Sequence, residues 1–154
     1  MRLSVSSVWT AYLASRLPCH PAHLTWSREH VIPKSVVPSL ATDPRNVIPL
    51  PVIPNNARGN LPYTEEWESG SVVSACSSCP HPGYCVGSSI VTPSGFHPPN
   101  AFKGPIARSV LYSVGEYPNL AEVIHERVLN IDTAIKWDSH FPMSKAEKDW
   151  LDSL

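Results

Sequence analysis

The densest concentration of reactive side chains lies in three short blocks. Residues 26–33 read WSREHVIP, residues 43–46 read DPRN, and residues 55–60 read NNARGN. A neutral imidazole such as that of His30 can take a proton from water near pH 7. A carboxylate and an amide oxygen are hard ligands that suit Mg²⁺, and a guanidinium group can bind phosphate through two hydrogen bonds. The three blocks therefore contain the groups that metal-dependent phosphodiester hydrolysis requires.

These residues also have an ordinary structural interpretation. A single histidine beside an aromatic strand is usually a packed or surface residue, and asparagine or arginine beside glycine most often belongs to a turn or a cap. Tyr112 and Trp137 lie at helical spacing, which is more typical of a core than of a base-stacking platform. Only the joint pattern favours a catalytic role for His30 and Glu29.

The elements that must position these blocks follow from apolar spacing and proline. Apolar residues predict a strand over residues 24–33 and a second, proline-bounded strand over residues 46–50. Pro51 can begin a helix that runs to about Asn60, because its missing N–H falls in the first helical turn. Gly59 is a plausible end of that helix. The three blocks are thus predicted to lie on one strand–loop–strand–helix unit.

The rest of the chain is predicted to be irregular and then helical. Residues 61–99 are predicted as mostly irregular. Apolar residues at helical spacing predict one helix over residues 105–117, with Pro105 near its start, and a second over residues 120–137. A last short helix is predicted over residues 145–151.

The start of the last helix has a sequence signature of its own. Ser144 followed three residues later by Glu147 is a capping box, in which the serine side chain accepts a hydrogen bond from the first helical turn. The whole order is strand, loop, strand, helix, long insertion and then helices. This order predicts an α+β fold rather than a winding of alternating strands and helices.

Length and composition exclude several classes of protein. A chain of 154 residues fits one domain, and its 17 prolines argue against a helical bundle. No run of about 18 apolar residues exists, so no membrane span is predicted. Residues 1–17 are mildly apolar but interrupted by serines, so a signal peptide is the weaker interpretation. An intracellular location is therefore slightly favoured over secretion.

The charge is unevenly distributed along the chain. The net charge of −1 is low for a protein that binds phosphates. Residues 1–60 nevertheless carry six basic and two acidic side chains, whereas residues 116–154 carry eight acidic and four basic ones. This asymmetry suggests one side that faces a polyanion and a solvated back. Solvated helix faces explain the acidic half equally well.

Taken together, the blocks resemble the endonuclease I branch of the His-Me finger, or ββα-metal, nucleases. The resemblance covers Trp26 to about Glu147, with residues 60–95 poorly matched. The matching positions are Arg28-Glu29-His30 with Pro33, Asp43 and Asn46, residues 55–60 with Arg58, Phe96-His97-Pro98-Pro99, residues 103–108, Tyr112, and the stretch from Trp137 through Pro142 and Ser144 to Glu147. Several blocks in the right order are much more specific than one Glu-His pair.

The resemblance implies a role for each residue around the central histidine. It makes His30 the general base, placed at the end of the first strand, and Glu29 a carboxylate ligand of the metal. Asn55 becomes the second metal ligand, with its neighbour Asn56 in that role if the register shifts by one. Asn46 resembles the residue that ties down the loop after the histidine and so fixes the ring.

The resemblance also implies roles for four basic side chains. Arg58 and Arg108 are the candidates for catalytic contacts to the phosphate. Lys103 joins them as a nucleic-acid-binding residue, and Arg28 is expected to support the site.

The resemblance further implies an architecture and an activity. One finger domain would span residues 1–154, with its core at about 24–61, a cysteine-containing insertion at about 62–95 and a helical part at about 100–154. The domain would hydrolyse DNA, or else RNA, with little sequence specificity. One Mg²⁺ ion, or Mn²⁺ or Ca²⁺ in its place, would assist His30 and leave products with 5′-phosphate ends. No membrane partner is implied.

Two other functions remain open at this point. The chain could have kept the fold as a nucleic-acid-binding protein without turnover. Alternatively, it could be an interaction module that is stabilised by zinc, in which the Glu29-His30 pair is incidental.

The four cysteines form a second candidate constellation. Cys76, Cys79 and Cys85 could supply three thiolates, and His81 or the distant Cys19 a fourth ligand, for a tetrahedral structural Zn²⁺. Free thiols and two disulfides are the competing states, and no pairing can be read from spacing. Zinc is favoured, then free thiols, then disulfides, because the signal peptide is unconvincing.

Overall fold

The protein has an α+β fold, as the sequence predicts. The computed structural model describes residues 6–17, 19–76 and 89–154. In chain order, the described helices and strands are α1 (Ser7–Ser15), β1 (Trp26–His30), β2 (Val47–Pro51), α2 (Val52–Arg58), β3 (Ser71–Val73), β4 (Ser89–Thr92), β5 (Gly95–His97), α3 (Asn100–Glu116), α4 (Ala121–Arg127), α5 (Ile131–His140) and α6 (Lys145–Asp152). In this part of the chain, no helix has the length and apolar character that crossing a bilayer requires.

The predicted strand–loop–strand–helix unit is confirmed. Strands β1 and β2 pair antiparallel, with Glu29 opposite Ile48 and His30 opposite Val47. The whole of β2 is buried, and α2 follows it without a loop. The helix ends at Gly59, whose φ of 52° lies in the left-handed region that glycine adopts at little cost. The unit therefore presents one helix directly against a two-stranded hairpin.

The range 61–99, predicted as mostly irregular, contains three short strands that the prediction misses. Strands β3, β4 and β5 form an antiparallel sheet in which β4 is central. Each strand has only three or four residues, so alternation of apolar and polar residues is too short to be detected. Residues 77–88 lie outside the described part of the chain.

The predicted start of the long helix is also wrong. Helix α3 begins at Asn100 rather than near Pro105, and the proline lies inside it. A proline within a helix removes one backbone hydrogen bond and usually introduces a kink. Here the packing of α3 along α5 supports the helix across this position. A Cβ atom added at the preceding Gly104 would overlap the carbonyl oxygen of Phe141, so glycine permits this close approach.

The helix predicted over residues 120–137 is in fact two helices. Helix α4 ends at Arg127, and α5 begins after Asn130, whose side chain accepts a hydrogen bond from Thr133 N at 3.2 Å. Between them the Val128 carbonyl accepts from Tyr63 N at 2.7 Å. The backbone is therefore used in a tertiary contact that apolar periodicity does not reveal.

The two ends of the described chain meet. The predicted cap of α6 is confirmed, because Ser144 Oγ accepts from Glu147 N at 3.1 Å. Helix α1 was not predicted from the sequence, and it packs on α6 with the rings of Trp9 and Trp150 4.8 Å apart. Trp9 and Leu13 are buried in the common core.

A disulfide joins Cys19 to Cys76, with their Cα atoms 5.7 Å apart. The preference for zinc is therefore wrong for these two residues, because a disulfide leaves no thiolate to bind a metal. The remaining proposed ligands, Cys79, His81 and Cys85, lie outside the described residues. Among those described, no three side chains of His, Cys, Asp or Glu come together as a metal site.

Replacing both Cys19 and Cys76 by serine is expected to destabilise the protein by about 2–4 kcal/mol, the usual contribution of a disulfide. The cross-link spans 57 positions and restricts the unfolded chain over that length. For a chain of this size the melting temperature should fall by about 5–15 °C, as measured by calorimetry without reductant. The same melting temperature for native and doubly substituted protein would contradict this prediction.

Candidate active site

Strand β1 divides the proposed site residues between its two faces. Successive side chains along a strand point to opposite sides, so Ser27 and Glu29 share one face, and Arg28 and His30 share the other. Glu29 is only 3% exposed, whereas Arg28 is exposed and His30 is half-buried. The carboxylate therefore lies inside the unit, and the imidazole lies at its boundary.

Helix α2 turns one of its faces onto the inner face of β1. Asn55 and Arg58 are three residues apart and so lie on the same side of the helix. Arg58 Nη1 donates to Glu29 Oε1 at 3.2 Å, and Asn55 Nδ2 donates to Ser27 Oγ at 2.7 Å. Two helical residues thus contact two strand residues in the same order along the interface.

Arg58 is fully buried, which argues against its predicted contact with a phosphate. Its Nε donates to Leu61 O at 2.7 Å, and its two Nη atoms donate to the carbonyls of His30 and Val31 at 3.0 Å, in addition to the Glu29 carboxylate. Its guanidinium carbon lies 4.1 Å from the centre of the Tyr63 ring. Arg58 therefore binds the end of β1 and the turn after α2, and a substrate cannot reach it.

The carboxylate of Glu29 has one oxygen bound and one without a partner. Burial raises the pKa of Glu29 to about 7, although the Arg58 guanidinium acts in the opposite direction. Its Oε2 atom is buried, and no hydrogen-bond donor among the described residues reaches it. A buried polar atom without a partner is costly, so this oxygen is suited to a further positive ligand.

The ring of His30 is held by a backbone carbonyl. Its Nε2 lies 2.9 Å from Ala41 O, and because a carbonyl oxygen can only accept, the hydrogen must be on Nε2. In the neutral ring, the lone pair is then on Nδ1. This arrangement leaves Nδ1 as the atom that could accept a proton.

Asn46 closes the loop between β1 and β2. It is 1% exposed, and its Oδ1 accepts from Ile32 N at 2.8 Å, while its Nδ2 donates to Ile32 O at 3.0 Å and Leu40 O at 3.2 Å. Leu40 precedes Ala41, the residue that holds His30. The side chain therefore joins Ile32, two residues after His30, to the loop that carries Ala41.

The two adjacent asparagines of α2 occupy different environments. Asn55 contacts the hairpin through Ser27, whereas Asn56 is exposed. The sequence left open whether Asn55 or Asn56 is the second metal ligand. Of the two, Asn55 is the one that contacts the face of β1 that carries Glu29.

Lys103 and Arg108 do not lie in an exposed phosphate-binding surface. Lys103 is 9% exposed, its Nζ donates to Asn100 Oδ1 at 2.9 Å, and burial lowers its pKa. Arg108 binds both carboxylate oxygens of Glu147, at 2.7 and 2.6 Å, and also Asp138 at 3.2 Å. Internal partners therefore occupy both cations in this structure, and their contact with nucleic acid stays a prediction.

Two positions at the site were missed by sequence reasoning. Ser27 contacts Asn55, and the carbonyl of Ala41 holds His30. Strand alternation could have identified Ser27, because it lies two residues before Glu29 on the same face. No sequence signal marks a backbone carbonyl eleven residues from its partner.

Comparison with known proteins agrees with the resemblance in the sequence. The family model described as Endonuclease I matches residues 12–152, which is most of the chain. Neither the curated proteins nor the solved structures give a significant match. The family has a nucleic-acid substrate and hydrolyses it. The chain belongs to the endonuclease I family and is a nuclease.

Proposed function

We propose that this nuclease hydrolyses DNA with one divalent cation, on a His-Me finger made of β1, β2 and α2. His30 is the general base, and Glu29 and Asn55 are the metal ligands. The observation that carries the proposal is the docking of α2 on β1, which places an amide side chain beside the face that holds a buried carboxylate oxygen without a partner.

The available oxygen atoms suit a hard cation such as Mg²⁺. This ion is usually bound by one or two protein ligands and completed by waters and substrate phosphate, so two oxygens from Glu29 and Asn55 are a sufficient set. Mn²⁺ and Ca²⁺ accept the same ligands. When bound, the cation would stabilise negative charge on the scissile phosphate and the leaving oxygen.

His30 supplies the base in this mechanism. Nδ1 takes a proton from the attacking water, while Ala41 O retains the hydrogen on Nε2. Asn46 keeps the loop that carries Ala41 in place. Attack on phosphorus with loss of the 3′ oxygen leaves products with 5′-phosphate ends.

Arg58 is buried, and Lys103 and Arg108 are bound to internal partners, so the proposed phosphate contacts lie on the His30 face of β1. Arg28 is exposed on the His30 face of β1, and Lys34 is exposed in the loop that follows. Exposed cations on and beside this face suit contacts to the phosphate backbone. Contacts to phosphate carry no sequence information, which is consistent with little sequence specificity.

Plasmid cleavage with and without metal tests the proposal. Supercoiled DNA incubated with the protein and Mg²⁺ should become nicked and then linear, and EDTA should abolish the reaction. The product ends should accept a 3′-end extension by polymerase without prior phosphatase treatment, since they carry 3′-hydroxyl and 5′-phosphate groups. Cleavage in EDTA, or products with 3′-phosphate ends, would show that the mechanism is wrong.

The same assay separates the rival functions. Binding of DNA without cleavage under any divalent cation would favour the binding-only alternative. A parallel incubation with single-stranded RNA decides whether RNA is also a substrate. The alternative of a zinc-stabilised interaction module is weakened, because two of its proposed zinc ligands form the Cys19–Cys76 disulfide.

A further inference from the structure

Ser27 lies between the backbone of β2 and the side chain of Asn55. Its Oγ–H donates to Leu50 O at 2.7 Å, and its Oγ accepts from Asn55 Nδ2, also at 2.7 Å. A hydroxyl group has only one hydrogen to donate. Because the Leu50 carbonyl takes that hydrogen, the side of Oγ that faces Asn55 can only accept.

A second acceptor fixes the same end of the asparagine amide. Asn55 Nδ2 also lies 3.4 Å from the carbonyl oxygen of Arg28. Both groups around Nδ2 are acceptors, so the amide nitrogen must point at the hairpin, and Oδ1 must point away from it. No described residue donates a hydrogen bond to Oδ1, which is therefore available to a ligand.

The orientation of this amide decides whether Asn55 can bind a cation. A carboxamide presents an oxygen on one side and an NH₂ group on the other, and rotation by half a turn exchanges them. An NH₂ group directed at a cation is repulsive. Without Ser27, only the long contact to the Arg28 carbonyl would oppose that rotation.

We propose that Ser27 is a positioning residue that orients Asn55 so that Oδ1 faces the bound metal ion. The inference rests on the proposed function, which makes Asn55 a ligand. It matches the arrangement at Glu29, where Arg58 binds Oε1 and leaves Oε2 without a partner. In each proposed ligand, one atom of the side-chain head group is therefore held by a neighbouring residue, and the other atom is available to the metal ion.

Removing this hydroxyl should weaken metal binding without removing a ligand. Loss of a residue that orients a metal ligand typically lowers metal affinity about 10–100-fold. The matched pair is Ser27→Thr and Ser27→Val, because both new side chains are β-branched and favourable in a strand and they differ only in the hydroxyl group. The Ser27→Thr variant should bind metal with the native affinity. The Ser27→Val variant should bind it about 10–100-fold more weakly.

The experiment is calorimetric titration of the metal-free protein with MnCl₂ and with MgCl₂, in the absence of DNA. Ser109→Ala serves as a further control, because Ser109 Oγ also donates to a backbone carbonyl, that of Arg45, at 2.9 Å, but does not contact Asn55. Its metal affinity should be native. Circular dichroism melting of each metal-free variant reports whether the fold is retained.

The outcomes distinguish the inference from the function on which it rests. Equal metal affinity in the folded Ser27→Thr and Ser27→Val variants would overturn the positioning role. Native protein that binds neither ion, or an Asn55→Ala variant that binds as tightly as native protein, would instead overturn the proposed metal site. If Ser27→Val does not fold, the Ser27→Ala variant replaces it under the same criteria, and if that variant also fails to fold, the role of Ser27 is structural and the inference is wrong.

Discussion

Replacing His30 by glutamine is expected to lower kcat for plasmid cleavage by about 10²–10⁴-fold, the usual effect of losing a general base. The terminal nitrogen of glutamine lies about as far along the side chain as His30 Nε2, so the variant can still donate to Ala41 O. It has no basic nitrogen in place of Nδ1. Loss of activity with the loop still held would therefore identify proton transfer as the role of the ring.

Two further variants sharpen this prediction. His30→Ala removes both the base and the bond to Ala41, so its activity should fall at least as far as that of His30→Gln. His23→Ala removes an exposed histidine seven positions earlier and should leave kcat unchanged. Added imidazole should restore part of the activity of His30→Ala, because a free ring can enter the vacated space. Cleavage by His30→Gln at the native rate would contradict a general-base role.

Replacing Arg58 by methionine is expected to destabilise the fold by about 3–5 kcal/mol, because removing one partner of a buried ion pair leaves the other charge without compensation. The Glu29 carboxylate would lose its cation, and the carbonyls of His30, Val31 and Leu61 would lose their donor. Total stabilities of small domains are about 5–15 kcal/mol. Urea unfolding should therefore show a large fall in the transition midpoint.

The control for this prediction is an arginine outside the core. Arg127 is exposed at the end of α4, and its replacement by methionine should change the free energy of unfolding by at most about 0.5 kcal/mol. Arg58→Lys keeps the charge but loses the fork of donors, so its stability should be intermediate. A stable Arg58→Met protein with weaker DNA binding and a shallower salt dependence would instead restore Arg58 as a phosphate contact.

The part of the site that the sequence predicts is the part that local chemistry determines. Apolar residues over 24–33 predict β1, a proline-bounded apolar run predicts β2, and Gly59 ends α2 at the predicted place. Glu29, Asn46 and Asn55 lie on this unit, so their positions follow from it. Arg58 looks the same in sequence whether it faces solvent or the hairpin. Only the docking of α2 on β1, a tertiary event, decides that it is buried.

The errors elsewhere have the same origin. A proline such as Pro105 often marks the start of a helix, yet α3 begins at Asn100 and packs along α5, a partner that is distant in sequence. The break between α4 and α5 depends on a bond from Tyr63 to Val128, two residues that are far apart in the chain. The disulfide between Cys19 and Cys76 also joins positions that are far apart in the chain. Neither periodicity nor spacing carries information about such contacts.

The Cys19–Cys76 bond determines what a protease cut between these two residues would do to the protein. Strands β1 and β2 and helix α2 all lie between the two cysteines, and so does the exposed stretch at residues 65–69. A single cut in that stretch would separate the proposed site residues from helices α3 to α6 in sequence, but the bond would keep the two fragments covalently attached. The core that both fragments share could then remain assembled. A single cleavage would break the backbone without releasing either fragment.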